Sequence, residues 1–593
     1  MNSLVTSNWG VCKGQGNARF RIWAPDIEHI TLVVEGADFP MSRACNGWYE
    51  ATVGAGPGER YCFRLPGGKA VPDPASHQQD EGISGCSIVV DHAFSWQNGN
   101  WIGRPWHEAI IYELHVGTFT PEGTFSAATE KLKGLADTGF TAIELMPIAT
   151  FEGNRGWGYD GVLQFAPHPV YGTPDELKQL IDTAHGLGMM VFLDVVYNHF
   201  GPMSNALSDY APQFFTDNPS PWGPSPDFAN PIVRSYFIES ALHWLEVYRF
   251  DGLRFDAADR LVCPSSQFDF LTCLTRTIRR EISDRHVHLM TEDARNTVVP
   301  MEVQEGGSIL VDAEWNDDFH HALHVLATSE GGGLYADFAE DPLEKLKKAL
   351  ASGFVYQGDP RPSDNMRGHG EPSHHLPPYR FINFLHNHDQ AGNRLRGERL
   401  RALIPSPLFS LLETILLLSP QIPLMFMGDE FASTDMFFFF SDHRNVNRPE
   451  GIRGRLEQAE KFQGPLPPDA MKLANDPNAA KTMHLSTLDW DKADTDVGRR
   501  SMNRMSMLLS KRQRVIWPLL SSNFEKGEIV ECPAQSLAVN WRFSTGILEL
   551  RANLSGKKLD LPAATGHVFH QHGTISGIRY DGFSCQFSLR STT

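Results

Sequence analysis

The chain is poor in cysteine: eight in 593 residues (Cys12, Cys45, Cys62, Cys86, Cys263, Cys273, Cys532 and Cys585), with no CxxC pair among them. That spacing disfavours a zinc site or a thiol-redox centre, and the eight are expected to be buried free thiols, because cysteine often serves as a small core hydrophobe. Also missing is any apolar run of 18 residues, and Met1 to Cys12 carries neither the basic nor the apolar stretch of a secretion signal. No membrane span is expected, and a cytoplasmic location is. Basic residues are outnumbered, 52 Lys and Arg against 71 Asp and Glu, for a formal net charge of -19. Such a surface repels the phosphates of nucleic acid and leaves a neutral substrate such as a sugar unopposed. No HExxH spacing occurs. The histidines of chemical interest fall on different strands, so neither a metal nor a cofactor is expected.

The composition that remains, 41% hydrophobic and 21% charged, is that of a folded globular protein. Single cores stop growing near about 250 to 300 residues, so two to four domains are expected. Residues 1–100 read as an N-terminal β-sandwich: short alternating runs such as Ala18 to Trp23 and His29 to Val34 are separated by Gly, Pro and Asp turns. Near Trp101 the pattern changes to apolar strand, loop, amphipathic helix, repeated through residue 514, the grammar of a parallel α/β domain.

Eight strands are expected there: Ile110 to His115, Ala142 to Met146, Val191 to Val196, Gly252 to Ala257, Val287 to Glu292, Ile309 to Trp315, Ile382 to His388 and Pro423 to Gly428. Eight such units predict a closed (β/α)8 TIM barrel. Thr173-Pro174-Asp175-Glu176 is a capping box that starts one of its helices. Residues 200–231 form an insert after strand three, long enough to wall a cleft, and residues 351–379 read as a possible lid. A last helix spans about Arg499 to Lys511, and alternation resumes from about Val515. Residues 515–593 are therefore expected to form a C-terminal antiparallel β-domain.

Catalytic groups of such barrels lie at the C-terminal ends of the strands. Four apolar runs end in polar residues: Asp194 to His199, Arg254 to Asp256, Glu292-Asp293, and His386 to Asp389. Arg254 and Asp256 are two apart on a strand, so they share a face, and a guanidinium beside a carboxylate favours its ionised form, which a nucleophile requires. Glu292 on the next strand, in a drier setting, can hold a proton for a leaving oxygen. Any one buried acid at a strand end is more often an ion-pair partner than a catalyst. Four such ends together are not readily explained that way.

These four segments, DVVYNH, GLRFDAAD, TED and HNHD, resemble the signature regions of the α-amylase family of glycoside hydrolases. Arg155 to Gly161, Trp315 to Ala322 and the FLHNHDQAGNR run resemble the maltooligosyltrehalose trehalohydrolases within it, as does an isoamylase-like N-terminal domain. The resemblance implies Asp256 as nucleophile, Glu292 as general acid/base and Asp389 as the carboxylate that holds sugar hydroxyls in the transition state. It implies a substrate-binding set of Trp157, Tyr159, Asp160, His199, Arg254, Asp259, His388 and Asn393, with Tyr159 stacked on the sugar and Asp194 holding either Arg254 or the strand-three loop. Asn316, Asp317, Asp318 and Phe319 would face the leaving group. The implied activity is retaining hydrolysis of the α-1,4 bond beside the terminal trehalose of maltooligosyltrehalose. The alternative is a branching or debranching enzyme of the same family, and a non-catalytic glucan-binding protein is disfavoured by the intact acids. Of the Phe437 to Phe440 run, packing rather than sugar contact is expected.

Overall fold

A computed structural model describes residues 8–14, 16–202, 205–262, 269–304 and 307–591. Eight parallel strands close on themselves: β1 (Ile111–Leu114), β2 (Ala142–Leu145), β3 (Met190–Val195), β4 (Gly252–Phe255), β5 (His288–Thr291), β6 (Ala313–Trp315), β7 (Phe381–Phe384) and β8 (Ile422–Phe426), with β8 paired back to β1. The fold is the (β/α)8 barrel. Alternate residues from these strands, among them Ile111, Met190, Phe192, Met290, Ile382 and Leu424, fill the interior as one buried cluster. The barrel is thus packed below its mouth, and only the C-terminal rim is free for chemistry.

Two strands differ from expectation. Residues 309–312 are not strand, and β6 has only three residues. The β7 ladder stops at Phe384, because Asn387 caps a short helix, His388–Gly392. Its side chain accepts from the Asp389 N–H while Gln390 reaches back to its own N–H, each at 2.8 Å. This capping box competes with strand pairing and places Asp389 in the first helical turn.

Helix Pro174–Gly186 has the expected capping box of Thr173 and Glu176. Helix Pro231–Leu242 starts at the cap Asn230. The insert contributes Leu207–Tyr210 and Pro212–Phe214 as short helical turns, and residues 351–379 carry an ordered hairpin, Asp359–Arg361 with Arg367–His369. Among the described residues, no helix is long and apolar enough to cross a membrane.

Two antiparallel sheets precede the barrel, one built on Ala18–Trp23 and Trp48–Val53, the other on Thr31–Val34 and Arg60–Arg64. They dock through aromatic contacts: Trp9 meets the ring of Tyr236 edge-on at 5.0 Å, the Tyr236 hydroxyl donates to the Pro74 carbonyl at 2.7 Å, and His77 stacks on His243 at 4.1 Å. Burial lowers the pKa of all three imidazoles of this contact, His77, His92 and His243, which keeps the buried stack uncharged.

At the other end the helical chain runs past its expected limit. Asp496–Lys511 continues through Arg512–Ile516 into Trp517–Leu520, where Pro518 falls in the first turn, and antiparallel strands begin only at Phe524. The Trp541 indole of the C-terminal sheet donates to the Leu350 carbonyl at 2.8 Å, tying that sheet to the helix that precedes β7.

The cysteines are free, but their expected burial is largely overturned: Cys585 alone of those described is buried, Cys45 is exposed, and Cys12, Cys62, Cys86, Cys273 and Cys532 are intermediate. Cys12 lies on an edge strand and Cys273 on a helix flank, while Cys45, Cys86 and Cys532 fall in turns and loops, where one side of the chain meets solvent. Cys263 falls outside the described residues.

Candidate active site

Parallel pairing brings the acids together. Asp194 on β3 is in register with Arg254 on β4, and Phe255 with Thr291 on β5. The ladder extends one step beyond the strand ends, through Asp256 N–H to the Val195 carbonyl and Glu292 N–H to the Phe255 carbonyl, each at 3.1 Å. Asp256 and Glu292 therefore emerge side by side at the rim.

Arg254 is fully buried beneath them. Its Nη1 donates to both oxygens of Asp194, at 2.9 and 2.8 Å, and to Asp256 Oδ1 at 2.9 Å, while Nη2 donates to Glu292 Oε2 at 2.7 Å. The guanidinium lies 4.3 Å from the ring centre of Trp315. One cation shared by three carboxyls leaves an excess of negative charge in a desolvated site. Burial, with Asp256 adding and Arg254 opposing, pushes the Glu292 carboxyl above its ordinary value. Burial likewise raises the Asp194 carboxyl, to about 7, against the pull of Arg254, and Asp256 accepts from two donors, Arg254 and the Asn198 amide at 2.7 Å.

Backbone strain contributes. Ala257, directly after Asp256, is left-handed at φ 41°, a conformation that costs a non-glycine residue about 1 to 3 kcal/mol. In return its N–H reaches Glu292 Oε2 at 3.2 Å.

Asp389 enters from the short helix after β7. Its Oδ1 accepts from the Asn393 amide at 2.9 Å and lies 3.6 Å from Nε2 of His388. Burial disfavours the charged His388 ring, but Asp389 and Glu113 outweigh it and raise its pKa to about 9. At neutral pH His388 is a cation facing the site. Gly392 is required behind it, since a Cβ there would come within 2.0 Å of the Trp157 ring.

These groups line a cavity of about 530 Å3. Of the residues that the sequence pointed to, Trp157, Tyr159, Asp160, His199, Asp256, Glu292, His388, Asp389 and Asn393 all face it. Tyr159 stacks on His388 at 5.1 Å and its hydroxyl bonds to Asp194. Nδ1 of His199 pairs with Asn198, while its buried Nε2 has no hydrogen-bond partner among the described residues. Asp293 turns away from the cavity to pair with Arg295.

Other expectations are corrected. Arg254 does not line the cavity; it is consumed by the carboxyls above it. Asp259 is not on the cavity wall and pairs with Arg260. Asn316 is wholly buried as the cap of helix Asp317–Thr328, bonded to the Phe319 N–H, the Gly353 carbonyl and Asn383. Asp318 is spent on the N–H groups of Val355 and Tyr356 and the Asn296 amide, and Phe319 is core. A helix begins at Asp317, so successive side chains point some 100° apart and most of the run turns inward. Asp317 alone remains partly exposed, and it too is not on the cavity wall. Burial, then Glu292 and Asp389, push its carboxyl well above the ordinary range. Of the phenylalanine run, Phe437, Phe438 and Phe440 pack in the core while Phe439 reaches the cavity.

Sequence reasoning missed Glu113, buried on β1 and paired with His388, and Trp222, His443 and Arg455 on the cavity wall. An acid inside the apolar run of β1 was a visible signal for Glu113. The Asn447/Glu450 capping box announced helix Arg448–Gln463, but nothing in the sequence said that it leans over the site.

Comparison with known proteins agrees with this geometry. The family profile "Alpha amylase, catalytic domain" matches residues 89–219. Malto-oligosyltrehalose trehalohydrolase of Deinococcus radiodurans is 39% identical over 505 residues, 84% of this chain and 82% of that protein. The enzyme of the same name from Saccharolobus solfataricus is 35% identical, covering 73% of this chain and 77% of its own. A crystal structure from Salmonella typhimurium, described as an alpha amylase, is 41% identical with a TM-score of 0.93, covering 98% of this chain and 99% of the other. A barrel whose rim carries these acids around one arginine, together with likeness of this extent, places the chain in the malto-oligosyltrehalose trehalohydrolase family, among proteins with the α-amylase catalytic domain.

Proposed function

We propose that the protein hydrolyses the α-1,4 bond beside the terminal trehalose unit of maltooligosyltrehalose, releasing trehalose and a shortened maltooligosaccharide with retained anomeric configuration, in the cytoplasm. The observation that carries this reading is that the buried guanidinium of Arg254 holds Asp256 and Glu292 together on one sugar-sized cavity. Two carboxyls bonded to neighbouring nitrogens of one guanidinium are held side by side at the rim, an arrangement that favours a retaining pair, whose gap is about 5 to 5.5 Å, over the wider spacing of an inverting one.

In this mechanism Asp256 attacks the anomeric carbon while Glu292 gives its proton to the departing glycosidic oxygen. A glycosyl ester on Asp256 results. Glu292, now ionised, takes a proton from water as that water attacks, and the ester opens. Asp389 and the His388 cation hold the hydroxyls of the distorted ring, interactions that strengthen as the ring flattens and so accelerate the chemistry. The unpartnered Nε2 of His199 is available to a sugar hydroxyl, and Tyr159 supplies the ring beneath the sugar. On the leaving-group side, Asp317, the one residue of its run left partly exposed and with its carboxyl pushed well above the ordinary range, is the candidate contact for a trehalose unit that extends past the cavity wall.

Incubation with maltotriosyltrehalose tests the reading. Trehalose and maltotriose are expected, the latter first as the α-anomer by NMR. Absence of trehalose, or new or lost α-1,6 branches on a glucan, contradicts the substrate; a β-anomer contradicts the mechanism.

A further inference from the structure

Helix Arg448–Gln463 lies beyond β8, and its Arg455 is half-buried in the cavity wall. Nη1 donates to Oδ1 of Asn393 at 3.3 Å and Nη2 to the Gly392 carbonyl at 3.1 Å, and the guanidinium sits 5.3 Å from the ring centre of Phe439. No carboxylate of the described residues pairs with it, and burial lowers its pKa to about 10, which leaves it charged at neutral pH. A cation set against two neutral acceptors and a ring face, with no counter-charge, is a costly arrangement. Its reason is to be sought in what the cation acts on.

It acts on the amide of Asn393, whose Nδ2 donates to Oδ1 of Asp389 at 2.9 Å. With the amide oxygen held by a cation, only the NH2 group can face Asp389, and the amide, polarised from behind, becomes the better donor. Phe439 braces the same group, since its N–H also bonds to the Gly392 carbonyl, at 3.2 Å.

We infer that Arg455 is a positioning residue for this reaction: acting through Asn393, it fixes the orientation of Asp389, so that the helix beyond β8 governs the carboxylate that grips the sugar at the transition state. The inference rests on the role proposed above for Asp389. Because that grip tightens only in the transition state, loss of Arg455 lowers kcat and leaves ground-state binding nearly intact.

The test is steady-state kinetics on maltotriosyltrehalose, or on whichever glucan the wild type cleaves. Arg455→Met keeps an unbranched side chain of similar reach beside Phe439 and removes the guanidinium with its charge. It is expected to lower kcat about 10- to 100-fold, the scale of a small misplacement of a catalytic group, with KM within about threefold of wild type. Asn393→Ala should lose as much, and the double variant no more than either single one, because both break one chain of contacts. Arg455→Lys, whose ammonium can serve one acceptor but not the pair, should recover part of kcat; this variant and Arg455→Gln carry the test if Arg455→Met folds poorly. Wild-type kcat in the Arg455 variants, a rise in KM alone, or losses that multiply in the double variant overturn the inference. Asp389→Asn, assayed alongside, separates the two levels: unchanged kcat there defeats the role of Asp389 itself, whereas a fall there with intact Arg455 variants defeats only the contribution of Arg455.

Discussion

The floor and the wall of the cavity are built by different rules. The floor, Asp194, Arg254, Asp256 and Glu292, comes from three adjacent strands whose register fixes each side chain against its neighbour. The wall comes from the segments beyond β2, β3, β6, β7 and β8, where a helix that starts one residue earlier or later redirects every side chain on it. The floor is thus set by pairing geometry and the wall by local helix phase. The same contrast appears in the energetics, since each carboxyl of the floor bonds to the Arg254 cation, whereas Arg455 on the wall has only neutral acceptors among the described residues.

The largest effect should come from the floor. Asp256→Asn removes the nucleophile and is expected to lower kcat by about 10^4-fold or more while the thermal midpoint stays close to wild type. Activity near the wild-type level in that variant would mean that the register argument chose the wrong acid.

The pH profile sharpens the same comparison. Glu292 must carry its proton to act as the acid, so kcat/KM should fall as pH rises through its raised pKa. A second decline is expected above about pH 9, where His388 gives up its charge. The first limb should flatten with an α-maltosyl fluoride, whose leaving group needs no proton, and the second should vanish in His388→Asn. A first limb that persists unchanged on the fluoride would assign the titration to another group.

On the wall, Asp318→Ala should behave as a stability variant. It abandons the buried N–H groups of Val355 and Tyr356, at a cost of about 2 to 4 kcal/mol in denaturant unfolding. The ratio of kcat/KM for maltotriosyltrehalose over maltopentaose should be unchanged. Asp317→Asn, by contrast, should alter that ratio with little loss of stability. Reversed outcomes would restore the whole Asn316 to Phe319 run to the leaving-group side. The smallest effect is expected for Phe439→Ala, a rise in KM of about three- to tenfold from lost ring contact with substrate; a fall in kcat instead would place Phe439 with Arg455.

This division also explains what could be read from the sequence. The eight strands were visible because continuous apolar runs bounded by polar ends can hardly be anything else in an α/β chain; position at those ends pointed to Asp256 and to the adjacent pair Glu292 and Asp293, from which the family resemblance chose Glu292. The β7 end was misjudged because Asn387 and Gln390 form a helix cap, a local bond pattern that overrides strand alternation. Asn316, Asp318 and Phe319 were misplaced for the same reason: resemblance gives the identity of a run, while burial depends on the phase of the helix it enters. Arg455 lay beyond reach altogether. Its meaning resides in a contact with Asn393, 62 residues away in the chain, and no local pattern encodes such a contact.

The most direct measurement is to trap the covalent intermediate. Incubation with a 5-fluoro-α-maltosyl fluoride, followed by proteolysis and mass spectrometry, should find one glycosyl group on the peptide that contains Asp256. A label on Glu292, Asp389 or any other acid, or no label while the reagent is turned over, would contradict the claim that Arg254 holds Asp256 ready to attack.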